Sequence, residues 1–239
     1  MIHTAMNLGD HRHCTALSSC FRGKLCDQLM NRPGRPVAKG QPVYGLGDPA
    51  QSVFFLRQGL VKLTSMTEDG RESILRLHQA GDVFGDLCHC TGERREQAIA
   101  MEDCDIVELN FDEFIAHLQG NRPAFLLFLS NVARQLSSAY EQIQTLSFSS
   151  TMERLVRTLT RLADEFGVPE GEWIKLTHYF RQDDLAQMIG ARREVVSTLL
   201  NQLRDEGLIT YARKDGLLLR RAGLDGYLLS PEKSSASLK

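Results

Sequence analysis

Short apolar runs separated by turn residues dominate the first half of the chain. Between residues 37 and 110 these runs alternate with Gly, Asp and Pro residues, as at 47–49 and 80–82. Runs of this length are too short for a helix, and several of them at a spacing of about ten residues are typical of a sandwich or barrel. The pattern predicts strands at 53–56, 60–63, 74–77 and 106–109.

After Pro123 the apolar period changes to alternating steps of three and four residues. The positions concerned are Leu129, Val132, Leu136, Ala139, Ile143 and Leu146. An apolar stripe on one long helix is most simply buried against its twin in a dimer, although a helix packed on its own barrel has a similar pattern. We therefore predict a dimerisation helix, with Leu129, Val132, Leu136 and Ile143 at the interface.

Residues 184–203 have the pattern of a helix, a tight turn and a second helix. Gly190 permits the unusual backbone angles of the turn, and Ala186 is small where the two helices approach each other. The residues expected to pack inward are Leu185, Ile189, Val196, Leu199 and Leu203. A break at 166–169 separates this segment from a preceding helix, and a second domain is predicted to begin near residue 149.

The outward face of the second helix carries hydrogen-bonding side chains. They are Arg192, Arg193, Glu194, Ser197, Thr198 and Asn201. Arg is the usual bidentate reader of guanine, and Glu accepts a hydrogen bond from cytosine, so this face fits a DNA major groove. The alternative is an ordinary solvated amphipathic helix.

Two predicted strands at 207–210 and 217–219 follow this helix and are joined by a hairpin turn at Asp215 and Gly216. Arg213 and Lys214 lie where such a wing contacts phosphate, a contact that fixes register without reading sequence. The wing therefore favours DNA binding over the alternative.

The composition is that of a soluble globular protein, with 42% apolar and 24% charged residues in 239. The length suits two domains. We expect no membrane contact and a cytoplasmic location, because no apolar run reaches about 18 residues and no signal peptide is visible. Residues 151–239 hold 14 Lys and Arg against 13 Asp and Glu, so DNA contacts must come from a local cluster.

Six cysteines without a secretory signal argue against a disulfide framework and towards metal binding, redox sensing or burial. Cys14, Cys20 and Cys26 lie in a segment that is otherwise poor in apolar residues. A nucleophilic pair of His89 with Cys88 or Cys90 is disfavoured, because adjacent side chains point apart. We therefore expect that the protein is not an enzyme.

Several motifs occur together in a characteristic order. They are Gly59, the hairpin 67–71, the run 81–87 and the pair Arg193 and Glu194. In this order the chain resembles the CRP/FNR superfamily of bacterial transcription regulators over about residues 35–225. The resemblance implies an α+β fold with an N-terminal cyclic-nucleotide-binding-type β-roll, a long dimerisation helix and a C-terminal winged helix-turn-helix. The expected limits are 1–34 for a Cys-rich segment, 35–120 for the β-roll, 121–148 for the helix, 149–225 for the DNA-binding domain and 226–239 for a tail.

The resemblance implies that Arg193 and Glu194 read bases. In the family an Arg usually stands four residues after the Glu, where this chain has Thr198, and Arg192 replaces the usual capping Ser. The resemblance therefore implies the mode of base reading but leaves the exact half-site sequence open. Expected partners are double-stranded DNA with a palindromic site, a second copy of the chain, and RNA polymerase.

Three effectors are consistent with the resemblance, and the first is a cyclic nucleotide. In nucleotide-binding members a Gly-Glu-Leu sequence and a later Arg-Ser hold the ribose and the phosphate. The corresponding residues here are Gly85, Asp86, Leu87, Arg94 and Arg95, of which Arg94 could hold a phosphate.

The second effector is a [4Fe-4S] cluster, which soft thiolates favour. Cys20 and Cys26 have the spacing of the FNR branch, Cys14 lies further upstream, and Cys88 or Cys90 is a candidate fourth ligand. Cys104 is a poor candidate, because many members that bind no metal have Cys there. The third effector is haem, since the CO-sensing branch has a Cys and a His ligand near the position of His89.

Overall fold

The computed structural model describes residues 31–66, 70–85, 92–212 and 216–229. Within these residues the first half of the chain forms eight strands. They are β1 (Arg35–Val37), β2 (Pro42–Tyr44), β3 (Ser52–Gln58), β4 (Leu60–Met66), β5 (Glu72–Gln79), β6 (Val83–Phe84), β7 (Gln97–Ala100) and β8 (Cys104–Asn110). The four strands predicted from the apolar runs lie inside β3, β4, β5 and β8, so those predictions are confirmed.

The eight strands form two antiparallel sheets that enclose a core. The first sheet has the order β1-β8-β3-β6, and the second has the order β2-β7-β4-β5. Tyr44, Phe54 and Phe84 stack on one another between the sheets, with ring centroids 5.3 to 6.3 Å apart. This stacked interior gives the β-roll a filled core.

Gly59 makes the tight connection between β3 and β4. Its φ is +97°, which L side chains rarely adopt, and a Cβ atom there would lie 2.6 Å from Cys104 Sγ. Glycine is thus required at position 59 both by the positive φ and because a Cβ atom would clash with Cys104. Cys104 itself is buried, and its thiol lies 3.5 Å from the Leu60 carbonyl oxygen.

Three helices follow the roll, and the third belongs to the core of the C-terminal domain. They are α1 (Phe111–Gln119), α2 (Arg122–Phe148) and α3 (Thr151–Phe166). The Asn121 side chain accepts a hydrogen bond from the backbone N–H of Ala124 and caps α2, while Ser150 and Glu153 form a capping box at the start of α3. Local capping therefore fixes the break between the long helix and the helix that follows.

The C-terminal domain contains one further sheet and three further helices among the described residues. The strands are β9 (Gly167–Glu170), β10 (Trp173–Leu176), β11 (Ile209–Ala212) and β12 (Gly216–Leu219), in the order β11-β12-β10-β9. The helices are α4 (Gln182–Ile189), α5 (Arg193–Asp205) and α6 (Arg221–Leu229). This arrangement confirms the predicted α+β architecture of β-roll, long helix and winged helix-turn-helix, while the exact domain limits stay predictions.

Candidate nucleic-acid interface

Helices α4 and α5 form the helix-turn-helix. Helix α4 ends at Gly190, whose φ of 63° and ψ of 44° lie in the left-handed region, as the predicted turn requires. The Ala191 N–H donates to the Ala186 carbonyl across this turn, at 3.0 Å. The turn therefore holds the two helices in one fixed relation.

The inward face of the motif agrees with the sequence prediction except at one position. Leu185, Ile189, Val196 and Leu203 are buried in the core of the C-terminal domain. Leu199 is only partly buried, and Leu200 is fully enclosed in its place. The second helix is therefore rotated slightly towards Leu200 relative to the predicted packing.

The outward face of α5 is open to solvent. Arg192, Arg193, Glu194, Thr198 and Asn201 are exposed, and Ser197 is half-buried. Three of the predicted reading residues, Arg193, Glu194 and Ser197, line one shallow groove together with Gln182 of α4. The predicted face is thus continuous.

Three further residues of this surface were not among those predicted from the sequence. Gln182 and Asp183 open helix α4, and Val195 is an exposed apolar residue on α5. Gln182 and Asp183 could have been predicted as part of this surface from their position at the start of the helix-turn-helix. For Val195, apolar character pointed to burial, and its exposed side chain can contact a thymine methyl group.

The polar groups of this face also interact with one another. Arg193 Nε lies 3.8 Å from Asp183 Oδ1, and both side chains are more than half exposed. Thr198 Oγ1 donates to the Glu194 carbonyl at 3.0 Å. Thr198 therefore satisfies its hydroxyl on its own helix, and Arg193 forms a solvent-exposed ion pair with Asp183 beside the groove.

Arg192 occupies the N-cap position of α5 with extended backbone angles, and its side chain makes no capping hydrogen bond. Ser at an N-cap accepts a hydrogen bond from the first turn of a helix, which the Arg side chain has no acceptor to do. The first turn of α5 therefore lacks this stabilisation.

The two wing strands pair as predicted. In the antiparallel hairpin of β11 and β12, Ala212 lies opposite Gly216. Arg213 and Lys214 lie between these residues and are outside the described residues. The wing strands also join β10 and β9, which makes the wing one edge of a four-stranded sheet.

Helix α2 has an apolar stripe that the rest of the described chain leaves largely uncovered. Leu129, Leu136, Ile143 and Leu146 are between 53 and 59% exposed, and Val132 is half-buried. Only the first turns of α2 pack on the roll, where Ala124, Leu127 and Phe128 join the apolar cluster of β3, β8 and α1. Most of the stripe is thus available to another surface.

The predicted effector residues divide between described and undescribed positions. Asp86 and Leu87 lie outside the described residues, and Arg95 is exposed. Arg94 is only 2% exposed and lies beside Gly85, since its Nη1 donates to the Gly85 carbonyl and its Nη2 donates to the Ser52 carbonyl.

The Arg94 guanidinium is also packed against aromatic rings. Its central carbon lies 4.3 Å from the Tyr44 ring centroid and 5.5 Å from that of Phe54. Each Nη group of Arg94 donates a hydrogen bond to a backbone carbonyl. The buried Nε of Arg94 has no hydrogen-bond partner among the described residues. The described part of the roll therefore encloses Arg94, which gives two of its five N–H donors to backbone carbonyls and leaves Nε–H without a partner.

The candidate metal ligands Cys14, Cys20, Cys26, Cys88 and Cys90, and also His89, lie outside the described residues. The described ranges hold no group of three or more His, Cys, Asp or Glu residues suited to a metal ion. Burial raises the pKa of the Cys104 thiol, so at neutral pH this thiol is protonated. Among the described helices, none is long and apolar enough to span a bilayer.

Comparison with known proteins agrees with this architecture. Residues 35–121 match the cyclic nucleotide-binding domain family, and residues 153–227 match the Crp-like helix-turn-helix domain family. The cAMP-activated global transcriptional regulator CRP of Pasteurella multocida is 33% identical over 170 residues, which cover 69% of this chain and 79% of that protein.

Two further similarities extend over more of the chain. The global nitrogen regulator of Synechocystis sp. is 29% identical over 201 residues, 83% of this chain and 89% of that protein. The solved structure of a CooA mutant from Carboxydothermus hydrogenoformans has a TM-score of 0.71 and 26% identity, and the match covers 93% of this chain and 98% of that one.

Proposed function

Since this chain belongs to the CRP/FNR family of transcription regulators, whose members bind DNA and function as dimers, we propose that it reads a specific palindromic DNA site with helix α5. The observation that carries the proposal is the open polar face of α5, where Arg193, Glu194 and Ser197 line one groove. A purely structural dimer module does not require an exposed face of hydrogen-bonding side chains beside a wing.

Base reading is assigned to Arg193 and Glu194. A guanidinium makes two hydrogen bonds to guanine, and a carboxylate accepts one from the cytosine amino group. Asp183 Oδ1 lies 3.8 Å from Arg193 Nε as an exposed ion-pair partner beside the groove. Thr198 and Asn201 are further along the same exposed face, and Arg213 and Lys214 of the wing contact phosphate.

Two copies joined along the α2 stripe present two reading helices related by a two-fold axis. Such a dimer reads a palindrome whose half-sites are about 10 bp apart, centre to centre. RNA polymerase as a further partner stays a prediction.

The test is selection of a preferred site from random duplexes, followed by affinity measurements on that site and on random DNA. Arg193→Ala should cost about 1 to 3 kcal/mol on the selected site and relax the base preference at one position. Arg122→Ala is the matched control, because Arg122 is an exposed arginine at the far end of α2. If Arg193→Ala lowers the affinity for selected and for random DNA equally, the assignment of base reading to Arg193 is refuted.

For the effector we propose an iron–sulfur cluster on Cys14, Cys20, Cys26 and either Cys88 or Cys90. This proposal rests on the cysteine spacing alone. A bound cluster would supply an oxygen-sensitive group. It would also order the N-terminal segment, because metal–thiolate bonds stabilise a short polar segment. Protein purified without oxygen should contain iron and sulfide and absorb broadly near 400 nm, a region where haem instead has a sharp Soret band. Cys20→Ser should abolish the bound iron, while Cys104→Ser should leave it intact.

A cyclic nucleotide is the second candidate effector, and the match to the cyclic nucleotide-binding domain family favours it. Arg94 donates to the Gly85 and Ser52 carbonyls, and its guanidinium also packs on two aromatic rings. Its Nε–H, which has no partner among the described residues, and the second hydrogen of each Nη group remain as donors for a phosphate. A cyclic AMP titration by calorimetry, with Arg94→Lys as the variant, separates this candidate from the cluster.

A further inference from the structure

The C-terminal domain packs directly on the outer face of the second sheet of the roll. Leu60, Ile74 and Leu77 of β4 and β5 belong to the same buried apolar cluster as Leu155 of α3 and Leu185 of α4. The helix-turn-helix is therefore not joined to the roll through the long helix alone.

Four polar side chains lie inside this contact between the domains, and we name them the Lys62 cluster. They are Lys62 of β4, Glu72 of β5, and Asp184 and Gln187 of α4. Lys62 Nζ lies 3.1 Å from Gln187 Oε1, 3.6 Å from Asp184 Oδ1 and 3.7 Å from Glu72 Oε2. Gln187 Nε2 donates to Glu72 Oε2 at 2.8 Å.

The charged members of the Lys62 cluster are mostly removed from water. The side chains of Lys62, Glu72 and Asp184 are 14, 22 and 12% exposed. Charges buried to this extent are stable only when paired. One ammonium group faces two carboxylates here, so Lys62 is the group whose loss leaves the most charge uncompensated.

A second polar contact ties the segment before α4 to the roll. His178 Nδ1 lies 2.7 Å from Glu102 Oε1, and Glu102 belongs to the turn between β7 and β8. Helix α4 is thus held on the roll through its own residues and through the residues that lead into it.

Fixing α4 also orients the reading helix α5, because both helices pack in the same buried apolar cluster. Asp184 and Gln187 face the roll, while Arg193 and Glu194 are exposed on α5. The packing on the roll therefore leaves the reading face free.

We propose that Lys62 is a positioning residue for DNA binding. It holds α4 on the second sheet of the roll, in the orientation that presents α5 to DNA. The proposal rests on the proposed DNA-reading function. It makes the β4–β5 hairpin, rather than the long helix alone, a determinant of DNA affinity.

The test exchanges the two charges of the sheet in the dimeric full-length protein. The double variant K62E/E72K keeps an ion pair between β4 and β5 but places a carboxylate where Lys62 faced Asp184 at 3.6 Å. Repulsion then opposes the packing of α4, and affinity for the selected DNA site should fall about tenfold. The matched control is R32E/E113R, which exchanges an ion pair on the other side of the roll and should leave DNA affinity unchanged.

Rescue separates positioning from simple destabilisation. Adding Asp184→Asn removes the repulsion, and the Asn oxygen can still accept the hydrogen bond from the Arg181 N–H that caps α4. The triple variant should recover affinity to within about threefold of the wild-type protein. A folded K62E/E72K variant that binds DNA as tightly as the wild type or more tightly, or a triple variant without recovery, overturns the proposal.

Hydrogen exchange gives a readout that needs no DNA. K62E/E72K should speed amide exchange in α4 and leave β4 and β5 protected, because only the contact between the domains is weakened. Unchanged exchange in α4 refutes the positioning role. A wild-type protein that selects no DNA site from random duplexes refutes the proposed function instead.

Discussion

Ile143→Glu tests whether the α2 stripe is the dimer interface. The four most exposed apolar residues of the stripe, Leu129, Leu136, Ile143 and Leu146, are 53 to 59% exposed in one chain. Each therefore has about half of its burial free energy still to gain, or about 1 kcal/mol. Over two copies this amounts to about 8 kcal/mol before the entropy of association is subtracted.

The substitution removes about 1 kcal/mol of burial per copy and adds a desolvated carboxylate that costs several kcal/mol. A total penalty of at least about 4 kcal/mol corresponds to about a thousandfold rise in the dimer Kd. Sedimentation velocity over a concentration series should then show a monomer that has lost affinity for a palindromic site. Gln144→Glu adds the same charge one position away, outside the stripe, and should stay dimeric. An Ile143→Glu protein that stays dimeric would refute the assignment of this face.

Three further predictions concern single sites. Gly190→Ala should lower the free energy of unfolding by about 1 kcal/mol in chemical denaturation, because the left-handed backbone strains any Cβ although the space is open, with Leu146 Cδ2 at 3.8 Å; no loss would argue against the left-handed turn. Arg192→Ser should raise the free energy of unfolding by about 1 kcal/mol, because Ser can cap α5, and it should weaken DNA binding. Peptide-resolved alkylation at pH 7 should leave Cys104 unmodified until the chain unfolds, because burial raises the pKa of its thiol; rapid labelling of the folded protein would contradict this burial.

The elements that depend on local pattern were predictable from the sequence. The strands of the roll have short apolar runs bounded by turns, and the helix-turn-helix has its own turn glycine at 190. The hairpin of β9 and β10 was missed because Pro169 signals the end of a helix. In the structure Pro169 lies opposite Ile174 in β9, the edge strand of its sheet, where the missing N–H of proline is tolerated.

The contacts that depend on distant parts of the chain were not predictable. Lys62 and Gln187 are 125 positions apart, and neither residue type signals a partner. The resemblance makes Arg94 a candidate ligand for phosphate, because a charged phosphate is held by an arginine, but it does not indicate that the side chain is buried. The rings of Tyr44 and Phe54 that enclose it become neighbours only when the two sheets close.

Two sets of polar contacts, besides the shared apolar core, attach the helix-turn-helix to the rest of the molecule. At its turn, Arg154 Nε donates to the Ile189 carbonyl at 2.9 Å and Nη1 donates to the Ser149 carbonyl at 3.1 Å, which links the end of α2 to the end of α4. On the other side, the Lys62 cluster links α4 to the roll. Together with the shared apolar core and the contact of His178 with Glu102, these contacts set the position of α5 relative to the α2 stripe, and this relation sets the distance between the two reading helices of a dimer.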